Sequence, residues 1–72
     1  MEEFVLSAPY ITLGQLLKRM GMIETGGQAK AFLLSEDVRV NGEPESRRGR
    51  KLISGDVVYV AGQKTVKIIG QP

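Results

Sequence analysis

The hydrophobic period of this chain changes once, and that change restricts the fold more than any other feature. Up to about Ser35, apolar residues return every three or four positions; from Val38 onward they alternate. The first spacing fits a helix with one buried stripe, and the second fits strands with one buried face. Helices followed by strands in a chain of 72 residues predict a single α+β domain: a two-helix hairpin packed on a small, largely antiparallel sheet.

The helical half carries its own boundaries. Thr12 and Gln15 have the spacing of a capping box, with Ile11 and Leu16 placed for the accompanying hydrophobic staple. Leu13, Leu16, Leu17 and Met20 then fall on one face, while Gln15, Lys18 and Arg19 point away. Gly21 ends this first helix, read as 13–20. Thr25 and Gln28 repeat the capping spacing before Ala29, Phe32 and Leu33, giving a second helix over 26–35. The short link from Gly21 to Glu24 predicts that the two helices fold back on a shared core.

In the second half, Val38 and Val40 alternate with Arg39, and Asn41-Gly42 supplies a hairpin turn. Pro44 cannot donate to a ladder, so residues 43–45 form at most a short edge. Leu52-Ile53, the run Val57 to Val60 and the run Thr65 to Ile69 are further strands, separated by turns at Ser54-Gly55 and Ala61-Gly62. Phe4 to Leu6 fits one more strand at an edge.

Composition removes whole classes of chemistry. There is no cysteine and no histidine, so disulfides, the usual zinc sets, the commonest general base and the strongest nucleophile are all missing. Serines and threonines fall at caps and turns, and the carboxylates read as exposed, with Asp56 in a turn or strand-entry role. No phosphate-loop or dinucleotide fingerprint occurs. The expectation is a protein that is not an enzyme and uses no metal or small-molecule cofactor. No apolar run reaches the roughly 20 residues of a bilayer span, and the start Met1-Glu2-Glu3 has the wrong charge for a leader, which predicts a cytoplasmic protein.

The net charge of +2 decides little, but its distribution is uneven. Arg47, Arg48, Arg50 and Lys51 lie within six positions that contain no acid. Arginine forks match phosphate geometry, and Gly49 lets a partner approach the backbone. Taken alone, the cluster fits a solvated loop as well as a binding site. Gly26-Gly27 are a second anomaly, because two glycines weaken the first turn of a short helix. Either they permit close packing, or their bare amides form an anion site with Lys30 one turn on. Tyr10 and Tyr59 are expected to be partly buried, so no base-stacking platform is evident. Folded or double-helical RNA, held by backbone and shape, is the partner this pattern suggests. The competing reading is an adaptor that docks an acidic protein through a strand edge or the arginine loop.

These residues also resemble a known family. Leu13 to Gly21, Gln28-Ala29 in a second helix, Val38-Arg39-Val40-Asn41-Gly42 and Ser54-Gly55-Asp56-Val57-Val58 are similar to the RNA-binding domain of ribosomal protein S-four, or alpha-L motif. The likeness covers about residues 10–60 and looks most like the short stand-alone bacterial members of YaaA type. It implies a helical hairpin on a small sheet and an RNA surface made by the start of the second helix and the adjoining strand loops. A ribosomal RNA or the ribosome is then the implied partner. The residues expected at that surface are Lys18, Thr25, Gly26, Gly27, Gln28, Lys30, Arg39, Asn41, Arg47, Arg48, Arg50 and Lys51. Many members open the first helix with Arg-Leu-Asp and the second with Ser-Arg. Here those places hold Thr12-Leu13-Gly14 and Thr25-Gly26-Gly27, and Lys30 and the arginine loop are placed to compensate.

Overall fold

The computed structural model describes residues 1–62 and 64–70. In chain order the elements are β1 (Glu2–Val5), β2 (Ile11–Thr12), α1 (Leu13–Arg19), α2 (Gln28–Ser35), β3 (Val38–Val40), β4 (Glu43–Pro44), β5 (Lys51–Leu52), β6 (Val57–Val60) and β7 (Lys64–Ile69). Five of the strands form one sheet in the order β1-β7-β6-β3-β4, in which only the β1–β7 pair is parallel. The α+β architecture is the expected one, and the strand expected over 4–6 is present at the sheet edge as β1.

Both helix boundaries follow from local chemistry. At the start of α1 the Gln15 amide donates to Thr12 Oγ1 at 3.3 Å, and the Thr12 amide donates to Gln15 Oε1 at 3.0 Å, so the box is closed in both directions. At its end Gly21 takes φ +77. The Gly21 amide donates to the Lys18 carbonyl and the Met22 amide to the Leu17 carbonyl at 3.1 and 3.0 Å. That paired pattern is a Schellman cap, which satisfies the last carbonyls only because glycine tolerates the left-handed conformation.

The second helix starts later than its sequence spacing suggests. Gln28 Oε1 accepts the amides of Glu24 and Thr25 at 2.6 and 3.1 Å, but the Gln28 amide donates to the Thr25 backbone carbonyl at 3.1 Å, not to its hydroxyl. Half of the second capping box therefore forms. Gly26 and Gly27 make a turn ahead of α2, with Gly27 as an N-cap that has no side chain to offer.

The core is one cluster. Leu13, Leu16 and Leu17 from α1 and Ala29 and Leu33 from α2 join Val38, Val40, Val58, Val60, Val66 and Ile68 from the sheet. The register sets Val38 opposite Val60 and Val40 opposite Val58, so alternate residues of three strands reach the same side. Ile23 anchors the inter-helix link in this cluster, and Met20 and Phe32 close it as partly buried residues.

Asn41 and Gly42, at φ +53 and +84, make the β3–β4 hairpin turn. The Asn41 amide group donates to Asp56 Oδ1 at 3.0 Å, and its oxygen accepts the Val57 amide at 2.9 Å. Asp56 Oδ2 also accepts the Ile53 amide at 2.9 Å, which confirms its turn role. One pairing had no sequence signal: β2 and β5 form a separate two-stranded ribbon, with Ile11 opposite Leu52 and Thr12 opposite Lys51. Two residues per strand are too few to display a period. This ribbon delivers the loop after β4 to the front of α1.

Candidate nucleic-acid interface

The arginine loop is fixed by its own backbone. The Leu13 amide donates to the Arg50 carbonyl and the Gly14 amide to the Arg48 carbonyl, each at 2.8 Å. These are orphan donors of the first helical turn, and the loop satisfies them with carbonyl oxygens. Gly14 makes the approach feasible. A methyl group there would stand 3.3 Å from the Arg48 carbonyl oxygen, 3.4 Å from Arg48 Cβ and 3.5 Å from Ala29 Cβ. Loop, α1 and α2 thus meet at one residue.

Gly26 and Gly27 do not serve that purpose. A methyl on Gly26 would meet nothing within 4 Å, and one on Gly27 only Thr25 Oγ1 at 3.9 Å. Neither has a positive φ. At this site the close-packing glycine is Gly14, which sequence reasoning saw only as a departure from a family motif. The turn at Gly26-Gly27 is instead open and exposed, with Thr25, Gln28 and Lys30 exposed around it.

Arg48 joins the two features. Its Nη1 lies 3.5 Å from the Gly26 carbonyl oxygen, a long and weak hydrogen bond whose importance is positional. The exposed guanidinium bridges the arginine loop to the entry of α2. On the other flank, Lys51 Nζ sits 4.8 Å from the centre of the Tyr10 ring, within cation–π range. Tyr10 is 43% exposed. The expectation that it is partly buried is thereby corrected, because residues 7–10 pass over the surface before β2 dips into the core.

The four basic residues are not electrically equivalent. Glu45, whose side chain is only 8% exposed, holds Arg47 and Arg50 at 3.0 and 2.9 Å through Oε1. Its Oε2 accepts Arg47 Nε and the amides of Ser46 and Arg47, all at 3.1 Å. The side-chain bonds from Arg47 pull the Glu45 carboxyl from 4.5 down to about 2 against the opposing cost of desolvation; the Arg47 amide and Arg50 add to the lowering. Arg47 is raised in return by its bonds to Glu45. The carboxylates were expected to be exposed, but Asp56 is partly buried in its turn and so is Glu45 beneath the loop. It folds back under the loop and cancels part of the charge that the sequence concentrates there, leaving Arg48 and Lys51 as the cations with no carboxylate among their described contacts.

The remaining expected residues are distributed unevenly. Lys18 is exposed on α1, facing a groove shared with Tyr10. Arg39 pairs with Asp37 at 3.1 Å on β3, and Asn41 spends both ends of its amide on the Asp56 turn. Neither makes a described contact with the loop or with the Gly26 turn. Among the described residues no group of three acidic, histidine or cysteine side chains is gathered for a metal, and no helix is long and apolar enough to cross a membrane.

A helical hairpin on a mixed sheet, with a basic loop seated on the front of the first helix and bridged to the second, defines an α+β domain of the alpha-L type. The chain belongs to the S4 domain family, whose model matches residues 4–69. It is 51% identical over 59 residues to the probable ribosome maturation protein RlbA of Bacillus subtilis (strain 168), covering 82% of this chain and 83% of that one. It is 39% identical over 54 residues to the putative RNA-binding protein YbcJ of Escherichia coli (strain K12), covering 75% and 77% respectively. The solution structure of YbcJ from E. coli, described as revealing an alpha-L motif involved in RNA binding, superposes with a TM-score of 0.67 at 36% identity. That match covers 96% of this chain and 87% of the other.

Proposed function

We propose that this chain is a non-catalytic RNA-binding module that grips structured RNA, in particular ribosomal RNA, through phosphate and shape contacts. The observation that carries the reading is the Arg48 bridge: its backbone carbonyl seats on Gly14 while its guanidinium reaches the Gly26 carbonyl. The arginine loop and the open turn before α2 therefore lie on one surface. Arg48 and Lys51 take phosphates first, since Glu45 does not engage them. Arg47 and Arg50 contribute through the nitrogens that Glu45 leaves free. Thr25, Gly26, Gly27, Gln28 and Lys30 form the second contact, with Lys18 on the flank. Arg39 and Asn41, engaged with Asp37 and with the Asp56 turn, are the weaker members of the set. Support for RNA as ligand comes from the relatives named for RNA binding, and support for a ribosomal target from the one named for ribosome maturation.

The test is a salt titration of binding to a ribosomal RNA hairpin. Affinity should fall steeply with salt, and the R48Q/K51Q double variant should flatten the log–log slope by about two, near 0.9 per lost phosphate contact. A slope unchanged in the variant, or no binding at low salt, would refute the proposal. Capture of an acidic protein that survives nuclease treatment, without RNA binding, would instead identify an adaptor.

A further inference from the structure

Beside the basic loop lies a feature that backbone recognition does not use. An open groove of about 800 Å³ runs between the segment after β1 and the exposed side of α1, lined by Phe4, Tyr10, Gln15, Lys18 and Arg19 among others. Its volume falls within the range of clefts that hold small organic ligands, roughly 300–1,000 Å³. Among the described residues no aspartate or glutamate lines it. It has an exposed aromatic ring, two cations on one helix and a glutamine whose Oε1 is engaged by the Thr12 amide, with no described bond to its side-chain nitrogen.

From this juxtaposition we infer that the groove is a pocket for one unpaired nucleotide of the RNA held on the neighbouring loop, with its base stacked on Tyr10. The inference rests on the RNA-binding reading above and deepens it. Charge and continuity with the loop both favour this occupant. Lys18 and Arg19 offer phosphate contacts at one wall, and Lys51, part of the arginine loop, lies over the Tyr10 ring. The Lys51–Tyr10 contact joins the loop to the groove directly, so a strand leaving a duplex bound at the loop meets the ring next to a cation. Lys51 lies over the ring at 4.8 Å, and Tyr10 is still 43% exposed where it lines the groove, which leaves surface for a planar partner. Aromatic stacking accepts any base, because every base has a π-face. The groove therefore selects an unpaired nucleotide at a position, not a sequence. The Gln15 side-chain nitrogen is a donor for a base-edge acceptor.

The experiment compares two RNA hairpins of equal stem length, one fully paired and one with a single bulged nucleotide, binding to the full chain. The wild type should bind the bulged hairpin on the order of ten-fold more tightly, the range expected for one stacked base. Tyr10→Phe should keep that preference, and Tyr10→Leu should abolish it while leaving affinity for the paired hairpin within about two-fold. Independently of any variant, 5-iodouridine at the bulge should photocrosslink to the peptide containing Tyr10. Equal affinity for both hairpins, a Tyr10→Leu loss that is the same for both, or a crosslink elsewhere would each overturn the pocket. If the paired hairpin binds and the preference is absent, this inference alone fails. If neither hairpin binds at low salt, the RNA-binding reading fails with it.

Discussion

Replacing Glu45 by glutamine should move stability and RNA affinity in opposite directions. The carboxylate accepts five hydrogen bonds, two from backbone amides and three from the guanidinium groups of Arg47 and Arg50. Glutamine retains one carbonyl oxygen, enough for the two amides of Ser46 and Arg47. It loses the charge and the other oxygen's bonds to Arg47 Nη2 and Arg50 Nη1. Arg47 is 72% exposed, so water screens its ion pair and the pair contributes little. Arg50 is two-thirds shielded, and its charge-assisted bond contributes more. A net loss of about 1–2 kcal/mol follows, which for a domain of this size lowers Tm by roughly 4–16 °C. The same change removes the negative charge that opposes two guanidinium groups, so the salt dependence of RNA binding should steepen by up to about two units in slope. The acid limb gives a second check. Because the Glu45 carboxyl is depressed from 4.5 to about 2 in the folded chain, its stabilisation is fully present above pH 4.5. It is lost as pH falls toward 2. Thermal unfolding from pH 7 to pH 2 should therefore show an acid-dependent decline in the wild type that is shallower in Glu45→Gln. An unchanged Tm at neutral pH together with an identical acid limb would refute this account of the loop.

Three further substitutions test the glycines and the turn. Gly27 has φ −67 and ψ −22 with open space around it, so Gly27→Ala should stabilise the fold by about 0.4–1 kcal/mol in denaturant titration. If its amide meets a phosphate, RNA affinity should nevertheless fall several-fold; a variant that is more stable and binds equally well would remove Gly27 from the interface. Gly14→Val should cost about 1–3 kcal/mol by overpacking against Arg48 and Ala29 and weaken RNA binding by displacing the loop, an expectation that wild-type stability and affinity would contradict. Asn41→Ala removes two side-chain hydrogen bonds at a residue with φ +53, and unfolding measurements should register a loss of about 2 kcal/mol.

The first α1 capping box, the Gly21 stop, the Asn41-Gly42 turn and the alternating valines were legible because each depends on residues near one another in sequence. Gln28 shows where such reading fails. Its spacing from Thr25 matches a full box, yet the glycines between them let the chain turn so that the Thr25 backbone carbonyl, not its hydroxyl, meets the Gln28 amide. The short ribbon of β2 and β5 was invisible for another reason. Its register is set by a pairing about forty residues apart in sequence, and no local pattern encodes that partner.

The same division applies to the arginine loop. Sequence alone established that the cations are concentrated there, that they follow two acids, and that a helix-helix-strand order precedes and surrounds them. Tertiary structure decided which of them remain available. Glu45 folds under Arg47 and Arg50, Gly14 admits the Arg48 backbone, and Arg48 reaches the turn before α2, 22 positions away in the chain. Charge density is a property of composition, but charge availability depends on which side chains the fold brings within hydrogen-bonding distance.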